Sequence, residues 1–266
     1  MAVIKMNFFS ATLGMQTNVT ICLPTFSIRD GMKGLTYSDV YMPGRKYQVL
    51  WLLHGGTGDD SDYLHYSNIA RYAEEHKLAV VMPADYNALY TDDPKGAKYF
   101  TYVADELPKL LNAVFPFSDK RKDNFIAGLS MGSTGAFKLA VAFPEKYCAA
   151  LCMSGCARGP SNPKDGIAHS PVPPFITGDP RGVDDAWNYV EEQVERGKSM
   201  PRFFLTCGSD DTLAYLDYTT SVDRLKTLGL DVFYEEVPGY QHEWDFWDLS
   251  LQKAICSWLP ILHREV

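Results

Sequence analysis

Short, unbroken apolar runs recur along the chain, separated by stretches whose apolar positions fall three and four apart. The runs are Val49-Leu50-Trp51-Leu52-Leu53, Leu78-Ala79-Val80-Val81-Met82, Phe125-Ile126-Ala127, residues 149–153, Phe203-Phe204-Leu205-Thr206 and Val232-Phe233-Tyr234. Continuous apolarity of this length fits strands buried on both faces, as in a parallel sheet. Helices are predicted between them, around 62–76, 101–114, 132–143 and 212–228, with a last one at 244–258. Ahead of this alternation, residues 6–10 and 17–23 read as strands. The polar, glycine-bearing segment 30–46 reads as a hairpin or an exposed connection. Strand–helix alternation on this scale predicts an α/β fold, a mostly parallel central sheet covered by helices on both faces.

Residues 156–201 break the rhythm. They are rich in Pro, Gly and Asp, with a helix predicted only at 184–196. A long irregular insert in a compact α/β domain usually serves as a lid or binding loop, and this one is too short for a core of its own. The chain, residues 1–266, is therefore expected to fold as one domain with a cap- or lid-like insert. Its 46% hydrophobic and 22% charged residues are ordinary for a globular domain. A net charge of -8 without a basic stripe argues against nucleic acid as a partner. No apolar run approaches the ~20 residues that span a bilayer, and the first residues carry no cleavage-site pattern. No membrane partner and a cytoplasmic location are the expectations. Six cysteines are present, three of them in the run Cys148-x3-Cys152-x3-Cys156. Zinc sites need a second ligand pair, and none accompanies this run. Small buried apolar residues account for it better, so neither a metal nor a disulfide is expected.

Chemistry enters with Gly128-Leu129-Ser130-Met131-Gly132, a G-x-S-x-G pattern. It follows an apolar strand and opens a helix, which is the context of a nucleophile elbow. A serine hydroxyl is a weak nucleophile and needs a base, itself oriented by an acid. Of the six histidines, only His242 lies in a loop after a late strand, whereas His54, His65, His76, His169 and His263 lie elsewhere. The acid is expected after the preceding strand, where Asp210 and Asp211 stand side by side and pattern does not separate them. Whichever is not the acid would cap the helix beginning near Thr212. An oxyanion needs fixed backbone N–H donors. The residue after the nucleophile, Met131, supplies one by position, and Gly56 of His54-Gly55-Gly56-Thr57-Gly58 supplies the other. His54 then acts as a hydrogen-bonder within that loop.

Four segments, Leu52-Leu53-His54-Gly55-Gly56, Gly128-Leu129-Ser130-Met131-Gly132, Cys207-Gly208-Ser209-Asp210-Asp211-Thr212-Leu213 and Gly239-Tyr240-Gln241-His242-Glu243-Trp244, resemble the esterase D group of α/β hydrolases. Within it the chain is similar to bacterial tributyrin esterases, and more distantly to S-formylglutathione hydrolases and to feruloyl and acetylxylan esterases. The resemblance implies the α/β-hydrolase fold and selects Asp211 as the acid through a C-G-x-x-D pattern. It implies Ser130, Asp211 and His242 as catalytic residues, with the Gly56 and Met131 amides as the oxyanion hole. A serine esterase without a cofactor follows from it, working on short-chain acyl esters through an acyl-enzyme. Feruloyl or acetylxylan esterase action on plant-wall carbohydrate esters is the alternative, and an acyltransferase the alternative of another class. The implied partner is a small-molecule or carbohydrate ester, with a homo-oligomer suggested by the family. Phe175, Ile176 and Trp187 of the insert either form an apolar acyl pocket or anchor the insert to the core.

Overall fold

The six apolar runs form the parallel part of an eight-stranded sheet in a computed structural model, which describes residues 1–157 and 181–262 and, at 181–185, the backbone alone. The strands are β1 (Ala2–Ser10), β2 (Met15–Leu23), β3 (Val49–Leu53), β4 (Ala79–Pro83), β5 (Asn124–Leu129), β6 (Ala149–Met153), β7 (Arg202–Gly208) and β8 (Val232–Val237). Their spatial order is β1-β2-β4-β3-β5-β6-β7-β8. β2 runs antiparallel to both β1 and β4, and every other pair is parallel. β3 to β6 are buried along their whole length. Successive side chains of a strand point to opposite faces. Val49, Trp51 and Leu53 accordingly join one core with Ile126 and Leu205, while Leu50 and Leu52 join the other with Ala127 and Phe204.

The helices are α1 (Ile28–Met32), α2 (Tyr37–Val40), α3 (Asp62–Tyr66), α4 (Ile69–His76), α5 (Tyr99–Thr101), α6 (Leu107–Val114), α7 (Met131–Ala142), α8 (Arg181–Glu195), α9 (Tyr215–Thr227) and α10 (Trp244–Lys253). No helix among the described residues is long and apolar enough to cross a membrane. Segment 30–46 is the exposed connection of its two expected forms, and it carries the short helices α1 and α2 where a hairpin was the alternative. Ser27 with Asp30, and Thr36 with Asp39, form capping boxes that satisfy the first amides of these short helices. The helix expected over 62–76 is split between α3 and α4 at Ser67 and Asn68, where the Asn68 N–H donates to Asp248 of α10. β1 begins four residues earlier than its pattern suggested, paired with β2 along its full length. Cys22, Cys152, Cys156 and Cys207 are buried, whereas Cys256 is exposed. No group of three or more His, Cys, Asp or Glu among the described residues is placed to hold a metal ion.

This topology brings the chemistry-bearing loops together. The loops after β3, β5, β6, β7 and β8 all leave the carboxyl ends of neighbouring parallel strands, the usual place for a site in such a sheet. Glycine 132 is required there, since a Cβ at this position would strike the carbonyl oxygens of Leu53 and His54. The close approach sets the first turn of α7 against the end of β3.

Candidate active site

Ser130 sits between β5 and α7 with φ 51° and ψ -119°, a strained backbone for any residue but glycine. Its N–H donates to the Met153 carbonyl at 2.9 Å, which ties the turn to β6. On one side of Ser130 stands His242, whose Nε2 lies 2.9 Å from the Ser130 Oγ. The other ring nitrogen, Nδ1, lies 2.8 Å from Oδ2 of Asp211. A carboxylate only accepts hydrogen bonds, so Nδ1 carries the proton and Nε2 is left to accept from the serine hydroxyl. The row Asp211–His242–Ser130 therefore has the polarity that general-base activation of a serine requires.

The loops bearing Asp211 and His242 are zipped together by backbone. The Asp210 N–H donates to the Tyr240 carbonyl at 3.0 Å and the Ser209 N–H to the Val237 carbonyl at 3.0 Å. Gly208 faces that same Tyr240 carbonyl at a distance that leaves no room for a Cβ. The expected division of labour between the two aspartates is corrected by the structure. Asp211 Oδ2 meets His242, while Oδ1 accepts from the Leu213 and Ala214 N–H groups at 3.1 and 3.0 Å, and neither aspartate caps α9. These two amides precede α9, which starts at Tyr215, later than the predicted 212. Asp210 is exposed and accepts from the Ser209 hydroxyl at 2.7 Å. Burial alone pushes the Asp211 carboxyl up, but hydrogen bonds from His242, Ser154 and the Ala214 amide outweigh it and hold the group below the usual carboxylate range.

On the other side of Ser130 runs the loop 54–57. A Cβ built on Gly55 would stand 3.5 Å from the Ser130 Cβ, so this loop borders Ser130. His54 is buried, with Nδ1 2.7 Å from the Gly55 carbonyl oxygen and Nε2 accepting from the Asp85 N–H at 2.9 Å. A carbonyl accepts and an amide donates, so the neutral ring protonated on Nδ1 is the form that satisfies both. Burial pushes the His54 pKa down and keeps the ring neutral. The Gly58 N–H also donates to the Gly55 carbonyl, at 3.3 Å. Within a planar trans peptide C=O and N–H point in opposite directions, so pinning the Gly55 carbonyl aims the Gly56 N–H the other way. The Met131 N–H belongs to the first turn of α7 and has no intrahelical partner.

A second loop clasps this one. Tyr86, Asn87, Leu89 and Tyr90 all have positive φ, between 49° and 67°. Each such residue costs on the order of 1–3 kcal/mol and persists only where its surroundings over-determine it. Here the Asp85 carboxylate accepts from the Ala88 and Tyr90 N–H groups at 2.8 and 3.2 Å, the Tyr90 hydroxyl donates to the His54 carbonyl at 3.1 Å, and Asn87 Oδ1 accepts from the Thr57 N–H at 2.6 Å. Complete burial pushes the Asp85 carboxyl well above the usual range, against the pull of those amides.

A family model for esterases matches residues 11–257. The chain belongs to the Esterase family. This esterase is 29% identical to an acetyl esterase of Caldicellulosiruptor saccharolyticus, over 97% of its own length and 98% of that protein. It is similar in structure to a substrate-bound, fluorophosphonate-binding serine hydrolase of Staphylococcus aureus, at 30% identity and a TM-score of 0.80, covering 97% of this chain and 98% of that one. An S-formylglutathione hydrolase from the same organism matches at 29% identity, a TM-score of 0.78 and the same coverage. The esterase is a carboxylic ester hydrolase with the α/β-hydrolase fold.

Of the residues expected to shape specificity, Phe175 and Ile176 lie outside the described residues, as does half of the insert 156–201. Trp187 is 1% exposed, packed against Phe137 of α7 at 5.1 Å between ring centroids, with the Arg224 guanidinium 4.4 Å over its ring, a packing that fits the anchoring one of its two readings. Residues that sequence reasoning missed are Asp85, Asn87, Ser154 and Trp247. No motif marks them, because each acts through a partner distant in the chain.

Proposed function

We propose that this esterase is a serine carboxylesterase that cleaves short-chain acyl esters through Ser130, His242 and Asp211. The observation that carries the reading is the unbroken hydrogen-bonded row from Asp211 Oδ2 to Ser130 Oγ, 2.8 and 2.9 Å per step, ending on a serine held at φ 51°. Ser130 Oγ attacks the ester carbonyl while His242 Nε2 takes its proton, and Asp211 stabilises the imidazolium. The Gly56 and Met131 amides receive the oxyanion. His242 then gives its proton to the departing alcohol. Water enters, loses a proton to His242 and attacks the acyl-enzyme, and collapse of the second tetrahedral species returns Ser130 and releases the acid. The short-chain preference is supported by the full-length likeness to an acetyl esterase.

Turnover of acetyl, butyryl, longer-chain and feruloyl p-nitrophenyl esters, each beside a Ser130→Ala control, tests the proposal. Fast cleavage of the acetyl and butyryl esters, lost in the control, is the expected result. A feruloyl preference would replace the short-chain reading with a plant-wall one. Cleavage by Ser130→Ala at the wild-type rate would sink the mechanism.

A further inference from the structure

Along β7 the positions Phe203, Leu205 and Cys207 alternate into one core, and Cys207 is fully buried. Past Gly208 the chain turns back, with the Asp211 N–H donating to the Gly208 carbonyl at 3.2 Å. This turn returns the Asp211 side chain to the end of its own strand. The Cys207 Sγ lies 3.8 Å from Asp211 Oδ2, the oxygen that also meets His242, in a buried contact between residues four positions apart. A carboxylate only accepts hydrogen bonds, so the thiol is the donor. Burial, and then the Asp211 charge with Glu236 of β8 acting in the same sense, push the Cys207 thiol up, so it keeps the proton that it donates.

We infer that, given the Ser130–His242–Asp211 triad of the proposed function, Cys207 is a positioning residue whose S–H donates to Asp211 Oδ2 and holds that oxygen in place for the His242 Nδ1–H. The two oxygens of the carboxylate are gripped from different elements. Oδ1 accepts from the Leu213 and Ala214 amides of the loop, at 3.1 and 3.0 Å, whereas the thiol on Oδ2 is carried by the sheet itself. A group on a strand is a firmer reference than one on a loop. The thiol also takes a share of the carboxylate's charge, which tempers how strongly Asp211 holds the imidazolium. Glu236 of β8 and Tyr215 and Tyr218 of α9 are further titratable neighbours of the thiol. They are the same in every variant at position 207, so a difference between those variants reports the group at 207.

Ester turnover of Cys207→Ala, Cys207→Val and Cys207→Ser across pH separates a donor from a space filler. Alanine and valine cannot donate, serine can, and valine occupies the space that alanine leaves empty. Both the alanine and the valine variant should lose about three- to tenfold in kcat, the worth of an ordinary hydrogen bond, with KM little changed. The acid limb of their kcat/KM profiles should move to higher pH, because a carboxylate relieved of a donor holds the imidazolium more tightly. Cys207→Ser should stay within about twofold of the wild-type kcat, with its acid limb at or below the wild-type position, since a hydroxyl is a better donor than a thiol. A residue that only fills space gives the opposite order, valine near wild type and serine impaired, with superimposable limbs, and that order overturns the assignment. If the variants at 207 do not fold, the wild-type thiol is its own probe. The infrared difference spectrum between wild type and Asp211→Asn should show one S–H stretching band moving to higher frequency as its acceptor loses its charge, and an unchanged S–H region overturns the assignment. Wild-type turnover by Asp211→Asn overturns the triad reading and this inference with it, whereas a crippled Asp211→Asn beside a Cys207→Ala that matches wild type in rate and profile overturns this inference alone.

Discussion

On one side of Ser130 distant side chains grip the backbone of the loop 54–57, and on the other the Asp211–His242 pair meets side chain to side chain on loops that their own backbone joins. The proposed oxyanion side relies on close approach and peptide geometry: His54 grips the Gly55 carbonyl, Asn87 grips the Thr57 amide, and Gly132 lets α7 touch β3. The proposed acid–base side relies on directional contacts of the Asp211 carboxylate with His242 and with the Leu213 and Ala214 amides. The contrast follows from the chemistry each side serves. An oxyanion hole must present fixed amides and never changes protonation. The base must gain and lose a proton, so its surroundings need a carboxylate of settled charge and orientation.

The contrast can be broken or sharpened by substitution, starting from the reacting atom. Ser130→Ala should lower kcat by about a millionfold while leaving the melting temperature close to wild type, measured by thermal unfolding beside ester turnover. Asp211→Asn should cost about 10⁴-fold, because the amide cannot hold the required tautomer of His242, and Asp210→Asn should leave turnover near wild type. Equal losses at the two aspartates would transfer the role or divide it. His54→Ala frees the Gly55 peptide and should lower kcat by about 10²-fold with KM little changed, the scale of a lost oxyanion donor. Asn87→Ala releases only the Thr57 end of the loop and should cost a few-fold.

The smallest effect concerns stability, and the two sides should answer pH with opposite signs. Asp211 titrates lower in the folded chain than the unfolded value of about 3.9, so its contribution is present above that value and lost as pH falls through the folded pKa. Asp85 titrates higher when folded, so its contribution is present below about 3.9 and lost as pH rises through the folded pKa. Chemical unfolding across pH should show Asp211→Asn flattening the acid-side decline and Asp85→Asn flattening the decline on the other side. The same slope change in both variants would remove the distinction.

Much of the fold was legible because burial on both faces writes itself into unbroken apolar runs. All six predicted runs are parallel strands, in the places expected for β3 to β8. Segment 30–46 was legible as an exposed connection, but its short helices were not, because their signal is local capping chemistry at Ser27 and Thr36 that polar, glycine-bearing composition hides. Ser130 was legible because a strained turn between strand and helix demands glycines at fixed offsets. Asp211 was not separable from Asp210 by pattern, since adjacent loop residues differ only in where the fold points them.

Chain order and hydropathy, with the spacing of glycines around Ser130 and the order Ser, acid, His, were enough to determine the sheet, the elbow and the short roster of reactive groups. These are properties of contiguous segments, and the forces behind them act within a turn or a strand. Only the folded sheet decided that Asp211 takes two backbone amides along with His242, that Trp187 packs against Phe137, that Asp85 and Asn87 meet the loop 54–57, and that Trp247 meets Ser154. Most of those outcomes join groups from separate elements, 93 positions apart for Trp247 and Ser154. A hydrogen bond needs its partner within about 3 Å in one direction, and nothing along the chain records which distant groups the register of parallel strands will bring that close.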